Sequence, residues 1–438
     1  MQNLDALLAR LFSLHPQQIE LSLGRMHRLL AAMGSPQKHL PPVIHVAGTN
    51  GKGSTVAFLR AILEAAGKSV HVYTSPHLVR FNERIRLGSA TGGRLVDDEA
   101  LVEALRFCEK VNGEEPITFF EATTAVAFHL FSQNPADYLL LEVGLGGRFD
   151  ATNVVPDPLR TVLTSVSLDH QEFLGETLEK IAFEKAGILK ARVTAVVGPQ
   201  QPQVLKVFER EAARLSAPLM QSGRDYDVRE EHGHLIFEDE RGLLDLPLPR
   251  LAGRHQHENA ATAIATLRSL ELALPYSAYQ HGIAHAEWPA RLQNIAKGPV
   301  IQLAPEGAEL WLDGGHNADG GRVLGQAMAD FEEKTSRPLV LICGSLASKD
   351  IEGFLHPFKG LAQEVLAVPV HSERKARPAA EIASAAQQVG IQAAACESVE
   401  AALRFLAVRD WRVAPRILIC GSLYLAGELL ALNNMPPA

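Results

Sequence analysis

Short apolar segments alternate with helical ones along the first half of this chain, and the alternation restricts the fold more than any other feature. The apolar segments end in glycine-rich or polar turns and lie at residues 42–47, 68–73, 138–143, 161–166 and 191–197. Runs in which every side chain is apolar are typical of strands buried on both faces. Stretches with helical spacing separate several of them, notably 54–66 and 121–131. Together they predict an α/β fold in which helices cover a parallel sheet.

The second half of the chain departs from this alternation. Residues 219–249 contain short apolar stretches separated by charged turns, which predicts a small β insertion. An Ala-rich helix is expected at 254–272, followed by an interdomain junction marked by proline and glycine at 288–299. Residues 341–346 and 418–423 then repeat the sequence Leu-Ile-Cys-Gly-Ser-Leu. We interpret them as two buried strands that end in the same kind of turn, rather than as a shared ligand site.

Length and composition exclude several classes of protein. A chain of 438 residues favours two or three domains, and 47% hydrophobic with 21% charged residues excludes disorder and coiled coil. The 42 Lys and Arg against 50 Asp and Glu give a net charge of −8, so no general attraction to nucleic acid or anionic membranes is expected. No apolar run approaches the roughly 18–20 residues that span a bilayer. We expect neither a nucleic-acid partner nor a membrane partner.

The cysteines and the first residues indicate a compartment. The chain has four cysteines, which lie far apart and form no Cys-x-x-Cys pair: Cys108, Cys343, Cys396 and Cys420. This pattern suggests neither a disulfide framework nor a zinc knuckle. Residues 1–10 have no basic leader before their apolar stretch. We therefore expect a cytoplasmic protein.

A glycine-rich loop joins the first apolar segment to the first helical one. Residues 43–47 run directly into Gly-Thr-Asn-Gly-Lys-Gly-Ser-Thr at 48–55. In that setting backbone N–H groups converge on phosphate oxygens, Lys52 offsets their charge, and Ser54 can hold a magnesium ion. The loop departs from the common GxxxxGK[ST] pattern because Val46 takes the first glycine position and Gly53 separates Lys52 from Ser54. It nevertheless predicts a nucleotide phosphate site.

A second glycine cluster, at residues 144–147, follows the strand predicted at 138–143 and begins like a dinucleotide-binding fingerprint. Phe149 stands where the last glycine of that fingerprint would fall, and the residues after it do not open an apolar helix. The sequence therefore does not indicate NAD.

Several segments, in chain order, resemble a single family. They are similar to the folylpolyglutamate synthase and dihydrofolate synthase family of the Mur ligase superfamily, and the resemblance covers almost the whole chain. The segments are AGTNGKGS (47–54), TSPHL (74–78), FNERI (81–85), LEVGLGGRFDATN (141–153), DH (169–170), EKAGI (184–188), DGGHN (313–317) and GSLYLAG (421–427). The resemblance implies that residues 1–295 form an N-terminal P-loop ATPase-like domain. This domain would contain a mostly parallel sheet and a small β insertion. A smaller C-terminal Rossmann-like α/β domain would follow at 296–438.

The resemblance also implies an activity, that of an ATP-dependent ligase joining the amino group of L-glutamate to a carboxylate on a pteroate or folate. A carboxylate is a poor electrophile, so phosphorylation by ATP would create an acyl phosphate that an amine can attack, with release of ADP and phosphate. Such chemistry needs a charge-neutralising site more than a covalent nucleophile. The implied substrates are dihydropteroate, tetrahydrofolate, L-glutamate and ATP, and the FFEAT segment at 119–123 favours both activities on one chain.

The same resemblance implies which residues hold the nucleotide and the metal. The implied ATP contacts are Gly48, Thr49, Asn50, Gly51, Lys52, Gly53, Ser54, Thr55, Asn259, Arg291, Asp313 and His316. The implied ligands of two magnesium ions are Ser54, Ser75, Glu142, His170 and a carbamoylated Lys185. The implied catalytic residues are Lys52, His170, Lys185 and Arg291, of which Arg291 would stabilise charge on the transferred phosphoryl group. Contacts to ATP from both domains would require closure around the substrate.

For the pterin substrate the matching positions lie in three segments. They are Leu23, Gly24, Arg25, Met26, Thr118, Phe119, Phe120, Glu121, Phe149, Asp150 and Ala151. Phe119 or Phe120 would stack on the planar ring while the other belongs to the core, and Glu121 or Asp150 would accept hydrogen bonds from ring N–H groups. We expect a monomer, with potassium as a further requirement.

Three other functions are compatible with a phosphate-binding loop. One is a ligase with only one of the two folate activities. Another is a cell-wall Mur ligase acting on a nucleotide-linked sugar, which the segments at 81–85 and 144–153 and the early position of the phosphate loop disfavour. The third is a nucleotide-dependent switch protein, in which Glu142, His170 and Asp313 would have no common purpose.

Overall fold

The computed structural model describes residues 4–13, 22–270, 272–373 and 375–437. In these ranges the helices flanking the larger sheet are α1 (Leu4–Ser13), α2 (Gly24–Ala32), α3 (Lys52–Ala65), α4 (Asp98–Asn112), α5 (Phe119–Gln133), α6 (Gln171–Leu174), α7 (Leu178–Lys185), α8 (Pro202–Leu215), α9 (Arg254–Ser269) and α10 (Tyr276–His285). Those of the smaller sheet are α11 (Ala318–Lys334), α12 (Ile351–Leu355), α13 (Ala379–Gln388), α14 (Val399–Ala407) and α15 (Leu423–Leu432).

The larger sheet confirms the predicted parallel architecture. Within the described ranges its strands are β1 (Val43–Ala47), β2 (Val70–Tyr73), β3 (Ile85–Leu87), β4 (Arg94–Leu95), β5 (Tyr138–Glu142), β6 (Arg160–Leu163), β7 (Ala195–Val197) and β8 (Leu219–Gln221). Their order is β4-β3-β2-β5-β1-β6-β7-β8. The strands β3 and β4 pair antiparallel at one edge, and the others run parallel.

Burial on both faces explains the continuous apolar runs. Along β5, Leu139 and Leu141 join the core beneath α4 and α5, where Phe128 also lies. The intervening Leu140 joins the opposite core, with Phe58 of α3. Since neighbouring residues on a strand point to opposite faces, a sheet covered by helices on both faces requires apolar side chains at every position.

The predicted β insertion exists, but it is shorter than expected. It is an antiparallel meander of β9 (Tyr226–Glu231), β10 (His234–Asp239) and β11 (Gly242–Pro247). The prediction that it starts at residue 219 is wrong, because β8 pairs in parallel with β7 and closes the edge of the larger sheet. A strand of three residues carries too little periodicity to be assigned from sequence. The following helix ends at Ser269 and not at the predicted residue 272.

The smaller sheet confirms a second, Rossmann-like α/β unit. Its strands in the described residues are β12 (Gln293–Asn294), β13 (Glu309–Leu312), β14 (Leu339–Cys343), β15 (Ala362–Ala367), β16 (Gln392–Ala395) and β17 (Arg416–Cys420), in the order β12-β13-β17-β14-β15-β16. Only β12 is antiparallel. The repeated segments form the neighbouring strands β14 and β17, with Cys343 directly opposite Cys420. The described cysteines are free thiols.

A search of the described helices for length and apolar character finds none that could cross a membrane.

Candidate active site

The carboxyl ends of β1, β5 and β6 meet at the middle of the larger sheet, and the glycine-rich loop leaves from this edge. A Cβ atom at Gly48 would lie 1.8 Å from Thr164 Oγ1, and Gly51, with φ of 86°, would place one 2.3 Å from Asn259 Oδ1. Both positions therefore require glycine. The helix α3 begins at Lys52, so its N-terminal N–H groups face the cavity that the loop lines.

Lys52 folds back over its own loop. Its Nζ donates to the carbonyl oxygens of Gly48 and Thr49, each at 3.2 Å. Ser54 lines the cavity, whereas the hydroxyl of Thr55 is buried beneath the loop and has no hydrogen-bond partner in the described part of the chain. The structure thus brings together residues 48–54 of the predicted nucleotide contacts but does not bring the Thr55 side chain to the cavity.

Glu142 ends β5 beside the loop and is only 5% exposed. Its Oε1 lies 4.0 Å from Lys52 Nζ, and it accepts a hydrogen bond from the backbone of Ser75. Burial raises the pKa of Glu142 to about 7, although Lys52 and Arg291 act in the opposite direction. A buried carboxylate in this state gains a great deal from a cation placed beside it.

Lys185 closes the floor of the same cavity from the last turn of α7. It is 4% exposed, and its Nζ donates to the Gly48 carbonyl at 2.8 Å. Burial and the positive charge of Lys52 lower the pKa of Lys185 to about 7. A substantial fraction of the amine is therefore neutral at physiological pH, and the neutral amine is the form that can react with CO2.

These residues fit a divalent cation. The predicted ligands Ser54, Ser75, Glu142, His170 and Lys185 all line the cavity of the glycine-rich loop. Burial lowers the pKa of His170 to about 4, which keeps the imidazole neutral and able to ligate. Among the described residues no cluster of three His, Cys, Asp or Glu forms a metal site. A mixed set of hydroxyl, carboxylate and imidazole donors is still compatible with magnesium, but Lys185 can join it only as a carbamate.

Residues from α9, from the segment before β12 and from the loop after β13 complete the cavity. Asn259, Arg291, Asp313 and His316 all line it, as predicted for nucleotide contacts. Asp313 is held by the backbone N–H groups of Leu292 at 2.7 Å and Gly315 at 2.6 Å. Burial raises the pKa of Asp313, while Arg291 opposes this shift. The cavity is therefore built jointly by both sheets and has a volume of about 220 Å³.

Asp169 ties the two halves together across this cavity. Its carboxylate accepts hydrogen bonds from Asn317 at 3.2 Å and from Lys349, and His316 Nε2 lies 3.4 Å away. Burial alone would raise the pKa of Asp169, but His316, His170 and Lys349 hold it well below the ordinary value. The carboxylate is therefore ionised and forms the centre of a polar clasp between the two α/β units.

A second, more apolar cavity of about 430 Å³ adjoins the first. The two share Ser75, Pro76, Gly144, Leu145, His170, His316 and Leu423. Of the predicted pterin contacts, those that line the second cavity are Arg25, Thr118, Phe120, Glu121, Phe149, Asp150 and Ala151. Arg25 pairs with Glu121 at 3.0 Å. A planar aromatic ligand in the second cavity would thus lie beside the phosphate-loop cavity. One end of the ligand would contact the wall that the two cavities share.

Four predicted pterin contacts lie elsewhere, and one that lines the cavity is already engaged. Leu23, Gly24 and Met26 do not line the cavity, and Met26 is fully buried in the core. Phe119 is half-buried, packs against Phe81 at the margin of the core with ring centroids 6.0 Å apart, and does not line the cavity. The carboxylate of Asp150 lines the cavity but accepts four hydrogen bonds from its own loop, from the N–H groups of Gly144, Leu145 and Thr152 and from the Thr152 hydroxyl.

Sequence reasoning missed several residues that line one or the other of the two cavities. Arg84 and Lys349 line the apolar cavity, and Asp319 and His255 line the nucleotide cavity. The turns after the two repeated strands also meet there, since Leu346 and residues 421–424 line one cavity. The repeat itself was a usable signal, because identical strand ends on neighbouring parallel strands place their turns side by side.

Comparisons with known proteins agree with this geometry. The family model described as "Mur ligase middle domain" matches residues 46–267, and "Dihydrofolate synthetase, C-terminal domain" matches residues 300–432. The dihydrofolate synthase/folylpolyglutamate synthase of Escherichia coli K12 is 34% identical over 427 residues, which is 97% of this chain and 94% of that protein.

Two solved structures match over nearly their whole length. Escherichia coli FolC in complex with DHPP and ADP has a TM-score of 0.87 and 32% identity, covering 99% of this chain and 98% of that chain. The bifunctional folylpolyglutamate synthase/dihydrofolate synthase of Yersinia pestis, with Mn, AMPPNP and L-glutamate bound, has a TM-score of 0.84 and 32% identity, covering 98% of each.

A phosphate loop on a parallel sheet, completed by a second α/β unit across the cavity, defines a Mur-type ATP-dependent ligase. Within that class, the chain belongs to the dihydrofolate synthase/folylpolyglutamate synthase family. The resemblance derived from the sequence motifs is thereby confirmed.

Proposed function

We propose that this chain adds L-glutamate to dihydropteroate, forming dihydrofolate, and to reduced folates, forming polyglutamates. The observation that carries this proposal is the junction of a phosphate-loop cavity with an apolar cavity at Ser75, Gly144, His170 and His316. A pterin carboxylate at this wall would face the γ-phosphate, and ATP would convert it to an acyl phosphate. A relative that covers 97% of this chain and carries both activities in its name, the Escherichia coli protein, supports the dual assignment.

In this mechanism the chain's own residues position charge. Lys52 would leave the loop carbonyls to contact the phosphates, and Arg291 would reach the transferred phosphoryl group from the other side of the cavity. Ser54, Ser75, Glu142, His170 and a carbamoylated Lys185 would hold magnesium, which would neutralise phosphate charge when bound. A relative bound to Mn and AMPPNP supports the divalent metal and ATP.

The remaining assignments belong to the same proposal. The N-terminal unit, 1–295, would bind ATP and the pterin, and the C-terminal unit, 296–438, would supply Asp313 and His316 and complete the site on closure. Tetrahydrofolate is the proposed folate form and potassium a proposed activator. Free thiols fit a reducing compartment such as the cytoplasm. We also propose that the chain acts as a monomer, because both halves of the site come from one copy.

The deciding experiment measures ADP release with Mg-ATP and L-glutamate in parallel reactions containing dihydropteroate, tetrahydrofolate or no pterin, with products identified by mass. Turnover with both pterins is the expected result. Turnover with one of them would reduce the proposal to a single activity. If neither pterin stimulates ADP release or gains a glutamate, the folate assignment is wrong.

A further inference from the structure

Three Lys or Arg side chains line the apolar cavity, and two of them pair with carboxylates of the chain itself. Arg25 pairs with Glu121 at 3.0 Å, and Lys349 pairs with Asp169. The third, Arg84, has no carboxylate within 4.0 Å among the residues that the structure describes. Its charge is therefore available to a ligand in the cavity.

Among the described residues Arg84 has no carboxylate in direct contact, and Glu83 and Glu142 act on its charge only from beyond 4.0 Å. Its Nε donates to His77 Nδ1 at 2.9 Å, so this imidazole nitrogen acts as an uncharged acceptor. The guanidinium also lies 5.3 Å from the centroid of the Phe81 ring. Neither contact cancels a full positive charge, and a buried cation without a counter-ion is costly.

The position of Arg84 places this charge near the reacting end of the cavity. Arg84 follows the Phe81–Asn82–Glu83 turn, and its backbone carbonyl accepts from Thr74, next to Ser75. Ser75 belongs to the wall shared by both cavities. If the reactive carboxylate of a ligand lies at the phosphate site, the ligand groups next to that carboxylate therefore lie close to Arg84.

The two proposed substrates differ in just such a group. Dihydropteroate has one carboxylate, which is the one that reacts. A glutamylated folate has a second carboxylate on the same terminal residue, which does not react. A guanidinium binds a carboxylate through two parallel N–H donors, and such charge-assisted pairs are among the strong hydrogen bonds.

We propose that Arg84 binds the non-reacting carboxylate of a glutamylated folate and so acts as the specificity residue for the polyglutamylation reaction. This inference rests on the proposed function, since it assumes that folates occupy the apolar cavity. It assigns to Arg84 the direct counter-ion that the described residues do not provide.

The test compares Arg84→Gln with the unchanged enzyme on two matched substrates, tetrahydrofolate and its analogue with 4-aminobutyrate in place of glutamate. The analogue keeps the reacting carboxylate and lacks the other. The unchanged enzyme should show a KM for the analogue at least about tenfold higher than for tetrahydrofolate, and Arg84→Gln should bring this ratio close to one. Arg84→Lys, which retains the charge but not the fork, should give an intermediate ratio.

A substitution at the neighbouring Arg80 serves as the matched control. Arg80→Gln removes a solvent-exposed guanidinium, paired with Asp98, from the same turn, and the ratio should not change. An unchanged ratio in a folded Arg84→Gln protein would overturn the assignment, as would a rise confined to the KM for L-glutamate. If the unchanged enzyme used no pterin substrate at all, the proposed function would fail first. If Arg84→Lys had the same KM ratio as the unchanged enzyme, a positive charge alone would suffice. That result would contradict bidentate binding of the carboxylate by Arg84.

Discussion

The ammonium group of Lys185 donates a hydrogen bond to the carbonyl oxygen of Gly48, 137 residues away along the chain, at 2.8 Å. One buried amine thereby connects α7 to the start of the phosphate loop. Because burial lowers the pKa of Lys185 to about 7, this bond is formed by a group that is close to losing its charge. Conversion to a carbamate would release a proton, leave one N–H on Nζ as a donor, and add two carboxylate oxygens that could bind a metal ion.

Carbamoylation of Lys185 is the first prediction. Lys185→Ala should lose ligase activity by about 100-fold or more, because the metal site loses a charged ligand. Protein equilibrated with 13C-bicarbonate should show a carbamate carbon signal that Lys185→Ala lacks. Lys180→Gln, an exposed lysine on the same helix, is the control and should retain both signal and activity. Full activity without CO2 and without a carbamate signal would contradict the assignment.

Glu142→Gln should have opposite effects on stability with and without metal. The pKa of Glu142 is raised to about 7 from 4.5, so the folded chain holds a proton that the unfolded chain loses between these values. The free energy of unfolding of the metal-free protein therefore falls as pH rises through that window. Glu142→Gln should remove this pH dependence and stabilise the metal-free protein by roughly 1–3 kcal/mol at pH 8.

The effect of metal is measured by thermal melts of the unchanged protein and of Glu142→Gln. The melts are recorded at increasing magnesium concentration with a non-hydrolysable ATP analogue. Magnesium should raise the melting temperature of the unchanged protein. It should raise that of Glu142→Gln only slightly, because the site has lost its fixed carboxylate. Equal magnesium responses in the two proteins would place the metal elsewhere.

Lys52→Ala should abolish most ATP turnover while leaving the fold intact. Among the described residues Lys52 contacts loop carbonyls at 3.2 Å and the Glu142 carboxylate at 4.0 Å. Because burial raises the pKa of Glu142 to about 7, Glu142 can take up a proton when Lys52 is removed, and the fold should survive. Removal of a cation aimed at transferred phosphate should lower kcat/KM by about 100-fold or more. A radioactive ATP-turnover assay, with circular dichroism to check folding, would measure both. Normal turnover would refute the phosphate-loop assignment.

The residues that line the cavity at the carboxyl edge of the larger sheet could be predicted from sequence because they follow strand ends in contiguous motifs. Glu142 ends an apolar run, and Lys52 opens a helix directly after one. Lys349 could not be found in this way. Its partner Asp169 is 180 residues away along the chain, and no local sequence motif of either residue indicates that the two are in contact. Thr55 shows a further limit: one helical step beyond Ser54 turns the side chain by about 100°, from cavity to core.

The polar clasp at Asp169 should determine how the two α/β units close. Asp169→Asn would leave Lys349, whose side chain is 11% exposed, without its counter-ion, at a cost of about 2–4 kcal/mol. Because the clasp spans the nucleotide cavity, kcat and KM for ATP should both deteriorate. Chemical denaturation and steady-state kinetics would measure the two effects. Arg229→Gln, in an exposed ion pair with Glu231, is the control and should change neither by a measurable amount.

Phe119 and Phe120 are adjacent in sequence and should have separable roles. Phe120 lines the apolar cavity, while the half-buried ring of Phe119 packs against Phe81 at the margin of the core. Phe120→Ala should raise the KM for the pterin substrate about tenfold, through loss of a stacking surface, with a smaller effect on stability. Phe119→Ala should instead lower the free energy of unfolding by about 2–4 kcal/mol and leave the pterin KM less affected. Thermal melts and pterin titrations of the two variants would test this, and the reverse pattern would place the pterin on the other ring.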